Sequence, residues 1–284
     1  MSSTKTNSQM LKSIRQFNKK AREIRAAKLG FSSADDLILY LQGEINRGMG
    51  GVLYDDNAFM GAKPKPVVTP TPTPGKTKGK TPIIHIVDIL DASGSMTGGK
   101  FTNALTGINK GVKELQEDTA KVKYTYTLCD FSGDIIFKTV MSKISDVGKL
   151  SGNTRGSTSL FDAIGETVNK VNSNTAYRPG DKVLVNIYTD GQENSSRKFK
   201  AYEVNELIKN HSEDSWTFTF IGTEEDVAYA AKMLSIKESN TLVYDGSAEG
   251  LASSFMANSA ARSCYSKKVE LGEDVSEGFY KDIK

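Results

Sequence analysis

The sequence predicts an α/β fold, a doubly wound and mostly parallel sheet with one antiparallel hairpin strand, preceded by a helical N-terminal hairpin. From Thr81 onward, short apolar runs alternate with segments of helical length, and this alternation is typical of parallel strands covered by helices. Two strand patterns, at about 122–131 and 134–141, are joined by Ser132-Gly133. Because so short a connection reverses the chain, this pair is predicted to be an antiparallel hairpin.

The elements of the main domain are predicted from the period of their apolar residues. Strands are expected at about 82–90, 122–131, 134–141, 182–189, 217–221 and 241–244. Helices are expected at about 99–117, 159–173, 199–211, 224–234 and 248–265. The domain is thus predicted to cover residues 82–266, and residues 267–284 are predicted to form a polar tail.

Residues 1–47 are predicted to form a basic helical arm. Over residues 9–29, apolar side chains recur at a spacing that places them on one helix face; they are Met10, Ile14, Phe17, Ala21 and Ile24. A second helix is predicted through about Ile45, with Ser33 and Asp36 as its capping box. Two helices of this size bury too little surface to be stable alone. The arm is therefore expected to pack on something, and a second protein partner is one candidate.

Residues 48–81 are predicted to be an exposed linker between the arm and the domain. Prolines alternate with Thr and Lys, a composition that favours an extended, polyproline-like spacer; they are Pro64, Pro66, Pro70, Pro72 and Pro74. The end of this linker, from Gly75 to Thr81, is one residue too short for a phosphate-binding loop and precedes a strand instead of following one. Nucleotide binding there is rejected.

Charge and composition restrict the function further. Residues 1–50 carry nine Lys and Arg against four acidic residues, whereas residues 81–284 carry 23 against 28. The chain has no apolar run of membrane-spanning length, and its start lacks the apolar stretch of a secretory signal, so a cytoplasmic protein with no membrane partner is expected. Cys129 and Cys264 are expected to be reduced core thiols. With only two histidines in the sequence, the chain has too few nitrogen and sulfur ligands to favour a zinc site.

Three segments rich in side-chain oxygens follow the predicted strands. Asp91-Ala92-Ser93-Gly94-Ser95-Met96 comes directly after an apolar strand, and a carboxylate with two alternating hydroxyls suits a hard divalent cation. The segment 156–160 (Gly-Ser-Thr-Ser-Leu) precedes a helix, and the segment 188–191 (Tyr-Thr-Asp-Gly) ends another strand. Ligand sites of parallel sheets lie at the carboxyl ends of the strands. All three segments are therefore expected at one sheet edge.

This constellation resembles the metal-ion-dependent adhesion site of von Willebrand factor type A (vWA) domains, over about residues 82–266. The resemblance implies that the metal ligands are Asp91, Ser93, Ser95, Thr158 and Asp190. It also implies that the ion is Mg²⁺, with Mn²⁺ as a substitute, and that its open position takes a carboxylate from a partner protein. The string from Tyr188 to Ser196 looks more like bacterial and bacteriophage members than animal adhesion domains. A phage-encoded chain would act in the host cytoplasm or the virion.

The predicted function is therefore a non-enzymatic, metal-dependent interaction module, and two alternatives remain. A phosphotransferase of the haloacid dehalogenase type would use Asp91 as nucleophile, but its second acid is replaced by Ser93 and no Lys follows near residues 156–162. A nucleic-acid-associated protein would act through the basic arm, whose first helix offers Phe17 as its sole aromatic for base stacking.

Three side chains outside the motifs carry separate expectations. Arg155 is expected to be a solvated charge at the rim of the site, with attraction of an acidic partner as the alternative. His85 is expected to be a core residue with its hydrogen bonds made. Asp88 falls inside a predicted buried strand, which requires either a side-chain hydrogen bond or an exposed edge.

Overall fold

The computed structural model describes residues 5–6, 38, 53–54, 81–178, 180–212, 215–275 and 278–283. The chain divides into two units, residues 1–75 and 76–284. In the first unit, Lys5–Thr6 pairs antiparallel with Leu53–Tyr54, and Ile38 is helical. The predicted helices at 9–29 and 33–45 and the proline-rich part of the linker otherwise lie outside the described residues.

The second unit is built on a six-stranded sheet. Its strands are β1 (Ile83–Asp91), β2 (Lys123–Phe131), β3 (Ile135–Lys143), β4 (Lys182–Tyr188), β5 (Trp216–Gly222) and β6 (Thr241–Val243). They lie in the order β3-β2-β1-β4-β5-β6, and all are parallel except β3, which runs antiparallel to β2. The predicted fold class is confirmed for this unit.

Helices cover both faces of the sheet. They are α1 (Lys100–Glu117), α2 (Leu160–Asn172), α3 (Ala201–Ser212), α4 (Glu224–Leu234) and α5 (Ala248–Leu271). Helices α1 and α5 pack on one face and α2, α3 and α4 on the other. The central strand β1 serves both cores, with Ile84 and Ile86 on the first face and Val87 and Ile89 on the second, because successive side chains alternate across a strand. Among the described helices, none is both long and apolar enough to cross a bilayer.

The strand order reverses between β1 and β4. The connection after β1 returns through α1 to β2, and the connection after β4 returns through α3 to β5. The two connections diverge at this point and leave a crevice at the carboxyl ends of the strands. Asp91 is the last residue of β1 and Asp190 follows the end of β4 by two residues, so both predicted carboxylate ligands lie at this crevice.

The C-terminal segment differs from its prediction. Helix α5 continues to Leu271, and the segment beyond it returns to the core, where Tyr280 is fully buried beside Phe279 and Val275. The backbone N–H of Tyr280 donates to Ser239 O over 3.1 Å. The segment after residue 266 is thus not the polar tail that was predicted, because its many charged residues mask the few apolar ones that are buried.

Two buried polar side chains on β1 are satisfied by neighbouring strands. Asp88 accepts hydrogen bonds from Tyr126 Oη on β2 and from Asn186 Nδ2 on β4, and burial raises its pKa. His85 contacts Thr125 Oγ1 at 2.7 Å and Asp181 Oδ2 at 3.2 Å, which confirms it as a satisfied core residue. The expectation for the cysteines is half right, since Cys129 is buried but Cys264 is exposed.

Candidate metal centre

Asp91 lies at the centre of the crevice and is held by two loops. Its side chain is fully buried. The backbone N–H of Ser93 donates to Oδ1 over 2.7 Å, and Thr189 Oγ1 donates to Oδ2 over 2.6 Å. The pKa of Asp91 is raised to about 6, mainly by burial; the hydrogen bonds from Thr189 and Ser93 lower it, and the charge of Asp190 adds a smaller increase. The carboxylate is thus oriented before any ligand arrives.

The first loop, residues 92–99, supplies two hydroxyls. Ser93 is buried and Ser95 is exposed, and their Oγ atoms lie 2.9 Å apart. After this turn the backbone passes through Gly98 and Gly99 with φ of 70° and 96°, a left-handed conformation that favours glycine. Helix α1 then begins at Lys100.

The second loop places Thr158 through its backbone. The N–H of Thr158 donates to Asn194 Oδ1 over 2.9 Å, and its carbonyl accepts from the N–H of Asn194 over 3.0 Å. The loop is also bonded to the first one, since the N–H of Gly94 donates to Gly156 O over 3.0 Å. Thr158 is buried, and its hydroxyl takes no part in these loop contacts.

Oxygens from three of the predicted ligands surround one point beside Gly191 in the third loop. A Cβ atom placed at Gly191 would lie 3.1 Å from Ser95 Oγ, 3.3 Å from Thr158 Oγ1 and 3.5 Å from Asp91 Oδ2. The first, second and third loops therefore converge as the sequence predicts.

Asp190 completes the constellation from the third loop. Its side chain is 2% exposed, and its Oδ2 accepts a hydrogen bond from Lys100 Nζ over 2.6 Å. Its Oδ1 is buried and has no hydrogen-bond partner within the described part of the chain. A buried carboxylate oxygen without a partner is costly, and a bound cation would offset that cost. This oxygen is the clearest sign that the site suits a metal ion.

The chemistry of the donor set fits Mg²⁺. Two carboxylates and three hydroxyls are hard oxygen ligands, which Mg²⁺ and Mn²⁺ prefer. Across the described ranges, no cluster of three or more His, Cys, Asp or Glu side chains could hold a metal ion. The site is therefore unlike the nitrogen- and sulfur-rich centres of zinc proteins.

The residues that hold the third loop against helix α2 were not predicted from the sequence. Glu193 accepts hydrogen bonds from the N–H groups of Phe161, Ser195 and Ser196 over 2.7–3.0 Å. In return, Asp162 in the first turn of α2 accepts from three consecutive N–H groups at residues 197–199, over 2.8–2.9 Å. These contacts give a physical reason for the residues that follow Asp190, which in the sequence alone show only a resemblance to other vWA domains.

Arg155 is not the solvated rim charge expected from the sequence. Its NH2 group lies 2.7 Å from Asp130 Oδ1 and its Nε lies 3.1 Å from Asp134 Oδ1. The carboxylate of Asp130 is 2% exposed and also lies 3.0 Å from Lys138 Nζ. Arg155 thus joins the second loop to the β2–β3 hairpin. Its charge is paired with two acidic residues of this chain.

Tyr244, just after β6, is a further polar residue that the sequence analysis missed. It is buried, and its Oη has no hydrogen-bond partner within the described residues. Burial raises the pKa of Tyr244, and the negative charges of Asp190, Asp226, Asp91 and Asp245 raise it further. The hydroxyl therefore lies in the electrostatic field of the carboxylates of Asp91 and Asp190.

Comparison with protein families agrees with this geometry. The family model of the von Willebrand factor type A domain matches residues 85–257, more than half of the chain. The chain belongs to the vWA domain family. Such domains commonly mediate protein–protein interaction or adhesion and are typically non-enzymatic. Comparison with curated protein sequences gives no significant match.

Solved structures similar to this chain come from diverse organisms. The pilus adhesin SpaC of Lactobacillus rhamnosus GG, in its open conformation, aligns with a TM-score of 0.51 and 14% identity over 64% of this chain and 30% of its own. Proximal thread matrix protein 1 of the mussel byssus aligns with a TM-score of 0.48 and 14% identity, over 62% of this chain and 45% of its own. The ArnB paralog VWA2 of Sulfolobus acidocaldarius aligns with 0.46 and 19%, over 62% and 44%. The chain thus spans less than half the length of each, and the likeness concerns the fold alone.

Proposed function

We propose that this vWA domain binds one Mg²⁺ ion and uses it to coordinate an acidic side chain of a partner protein. The ligands are Asp91, Ser93, Ser95, Thr158 and Asp190. The observation that carries the proposal is the convergence of three ligand oxygens on one point beside Gly191, next to a carboxylate with an unpaired buried oxygen. Mn²⁺ would bind at the same ligands.

The donor set explains why such an ion would bind a carboxylate of another protein. Two carboxylates balance the charge of a divalent ion, and hydroxyls complete the shell without adding charge. Five side chains leave at least one position of an octahedral ion to water or to a partner oxygen. Ser95 is exposed, so the site is open to solvent on this side. A partner carboxylate would displace the water and bind the hard cation directly.

Capture of a partner with and without metal tests this function. The full chain, immobilised in Mg²⁺, should retain a protein that excess chelator releases and that returns when Mg²⁺ is restored. Thr158→Ala should capture less of this protein, whereas Ser157→Ala, a neighbouring exposed hydroxyl, should capture as much as the wild type. Undiminished capture in excess chelator would contradict the proposal, because the partner would then bind another surface.

The phosphotransferase alternative finds less support in the geometry. The residue two positions after Asp91 is Ser93, whose hydroxyl bonds Ser95 and cannot serve as a carboxylic general acid. Both oxygens of Asp91 already accept hydrogen bonds. Turnover of an aryl phosphate by the wild type, lost in Asp91→Asn, would favour the enzyme over the interaction module.

The arm and the cellular location complete the proposal. The basic composition of residues 1–47 supports docking on a second protein, and a salt-dependent gel shift that vanishes without these residues would favour nucleic acid instead. The string from Tyr188 to Ser196 supports a bacterial or phage protein that acts in the host cytoplasm or the virion.

A further inference from the structure

We propose that Lys100 is a built-in counter-ion of this site, which competes with the divalent cation for Asp190 and so sets the metal affinity. The inference rests on the proposed metal function. Lys100 Nζ lies 2.6 Å from Asp190 Oδ2, while the other oxygen of the same carboxylate has no partner among the described residues. An ammonium group thus already holds one oxygen of a carboxylate that the metal needs.

The position of Lys100 in its helix indicates that this contact matters. Lys100 is the first residue of α1, and the positive end of a helix dipole disfavours a cation there. The first turn of α1 contains no acidic residue that could offset this cost. The ion pair with Asp190 offsets it from another loop, and the left-handed backbone of Gly98 and Gly99 turns the chain into α1 just before Lys100.

The side chain of Lys100 also has a route out of the site. It is 25% exposed, whereas that of Asp190 is 2% exposed. A lysine ammonium is a compact charge on a flexible four-carbon stem, so it can leave the carboxylate for water without moving the backbone. Lys100 therefore neutralises Asp190 when no metal is bound, and when the ion binds its ammonium moves only to the solvent-exposed rim, so that its charge stays near the site.

The positive charge of Lys100 affects both the affinity for the metal ion and the preference of the loaded site for a partner. With Lys100 nearby, two carboxylates and a divalent ion leave a net charge of about +1 at the loaded site, which one partner carboxylate neutralises. The same positive charge repels the incoming metal over a few ångströms. At surface-like dielectric constants this repulsion weakens binding by about tenfold. Lys100 thus lowers the affinity for the ion and raises the preference of the loaded site for an anionic partner.

Isothermal titration calorimetry with Mg²⁺ on the chelator-treated full chain tests this role. Lys100→Met keeps the length of the side chain and removes its charge, and it should lower the Kd for Mg²⁺ by about tenfold. Its melting temperature in chelator should fall, because Asp190 loses its counter-ion, and Mg²⁺ should restore it. Lys100→Arg keeps the charge and should bind Mg²⁺ nearly as the wild type does.

Lys110→Met is the matched control. Lys110 lies on the same helix about 15 Å further along, its side chain is 64% exposed, and the substitution removes the same charge. A Kd of Lys100→Met within twofold of that of Lys110→Met would overturn the inference and leave metal binding intact. Failure of the wild type and Lys100→Met alike to bind Mg²⁺ would overturn the proposed function and this inference with it. Binding by Lys100→Met alone would support the competition in its strongest form.

Discussion

At the scale of single residues, the backbone and the hydroxyl of Thr158 have different roles. Its N–H and carbonyl are bonded to Asn194, so the loop keeps its place without the side chain. Its Oγ1 is one of the three oxygens that meet beside Gly191. The hydroxyl therefore faces the candidate metal site, whereas the backbone N–H and carbonyl hold the loop in place.

Thr158→Ala should accordingly lower the Mg²⁺ affinity by about tenfold while changing the unfolding free energy in chelator by less than about 1 kcal/mol. Calorimetry and denaturant unfolding measure the two effects. Asn194→Ala should reduce both quantities, because it removes the clamp on the loop. Equal losses of stability in Thr158→Ala and Asn194→Ala would show that the hydroxyl holds the loop.

His85 predicts how stability depends on pH. Burial lowers its pKa from the ordinary value of 6.5, although the hydrogen bond and charge of Asp181 oppose the shift. The unfolded chain then takes up a proton that the folded chain refuses, so this stabilisation is present above about pH 6.5 and is lost as the pH falls. His85→Gln should show a smaller drop in melting temperature between about pH 7.5 and 5.5 than the wild type. A drop of the same size in both proteins would rule out this origin.

The approach of the predicted ligands Asp91, Ser95 and Thr158 to one point could be predicted because each lies in a short motif, either after a strand or just before a helix. Lys100 and Asn194 could not, since their partners lie 90 and 36 residues away in the chain. A Lys at the first position of a predicted helix is unfavourable and is visible in the sequence. Its role cannot be inferred, however, until the fold brings Asp190 next to it.

At the scale of elements, the third loop and helix α2 form one reciprocal unit. Asp162 accepts three consecutive N–H groups of the loop, and Glu193 of the loop accepts the N–H of Phe161 in the helix. Since Thr158 lies just before this helix, the unit fixes the second and third loops relative to each other.

Asp162→Ala should lower the unfolding free energy by about 1–3 kcal/mol, because three N–H groups lose their shared acceptor. It should also expose residues 195–200 to proteolysis. Glu225→Ala removes an exposed carboxylate from the first turn of α4 and serves as the control. Cleavage of both variants at the wild-type rate would contradict a role for this unit in holding the loop.

The ends of the strands and helices from residue 81 onward were predictable to within about two residues, because Gly, Ser and Asp separate the apolar runs. The exception is the end of helix α5, which continues six residues beyond the expected 265. The added turns carry Lys267, Lys268 and Glu270, whose charges conceal the buried Val269.

At the scale of the whole molecule, the C-terminal segment closes the core of the second unit. Tyr280 is fully buried among the residues of the α1–α5 face, and its hydroxyl donates to Asn258 Oδ1 over 2.8 Å. The sequence could not predict this return, because three apolar residues over a short polar stretch do not define a helix or a strand.

Tyr280→Ala should therefore lower the unfolding free energy by about 3–5 kcal/mol, as expected for removal of a fully buried aromatic side chain. Lys281→Ala, at the exposed neighbouring position, should change it by less than about 0.5 kcal/mol. Denaturant unfolding compares the two. Similar stabilities would show that the segment does not contribute to the core in solution.

Titration of the chelator-treated full chain with Mn²⁺, followed by the electron paramagnetic resonance signal of the free ion, tests the metal site most directly. Mn²⁺ shares the preference of Mg²⁺ for hard oxygen ligands and can be observed directly. The predicted result is one bound Mn²⁺ per chain, displaced by excess Mg²⁺ and absent in Asp190→Asn, which loses the carboxylate with the unpaired oxygen. A free Mn²⁺ signal unchanged by the wild-type chain at millimolar-order concentrations, or equal binding by Asp190→Asn, would contradict a metal centre at this sheet edge.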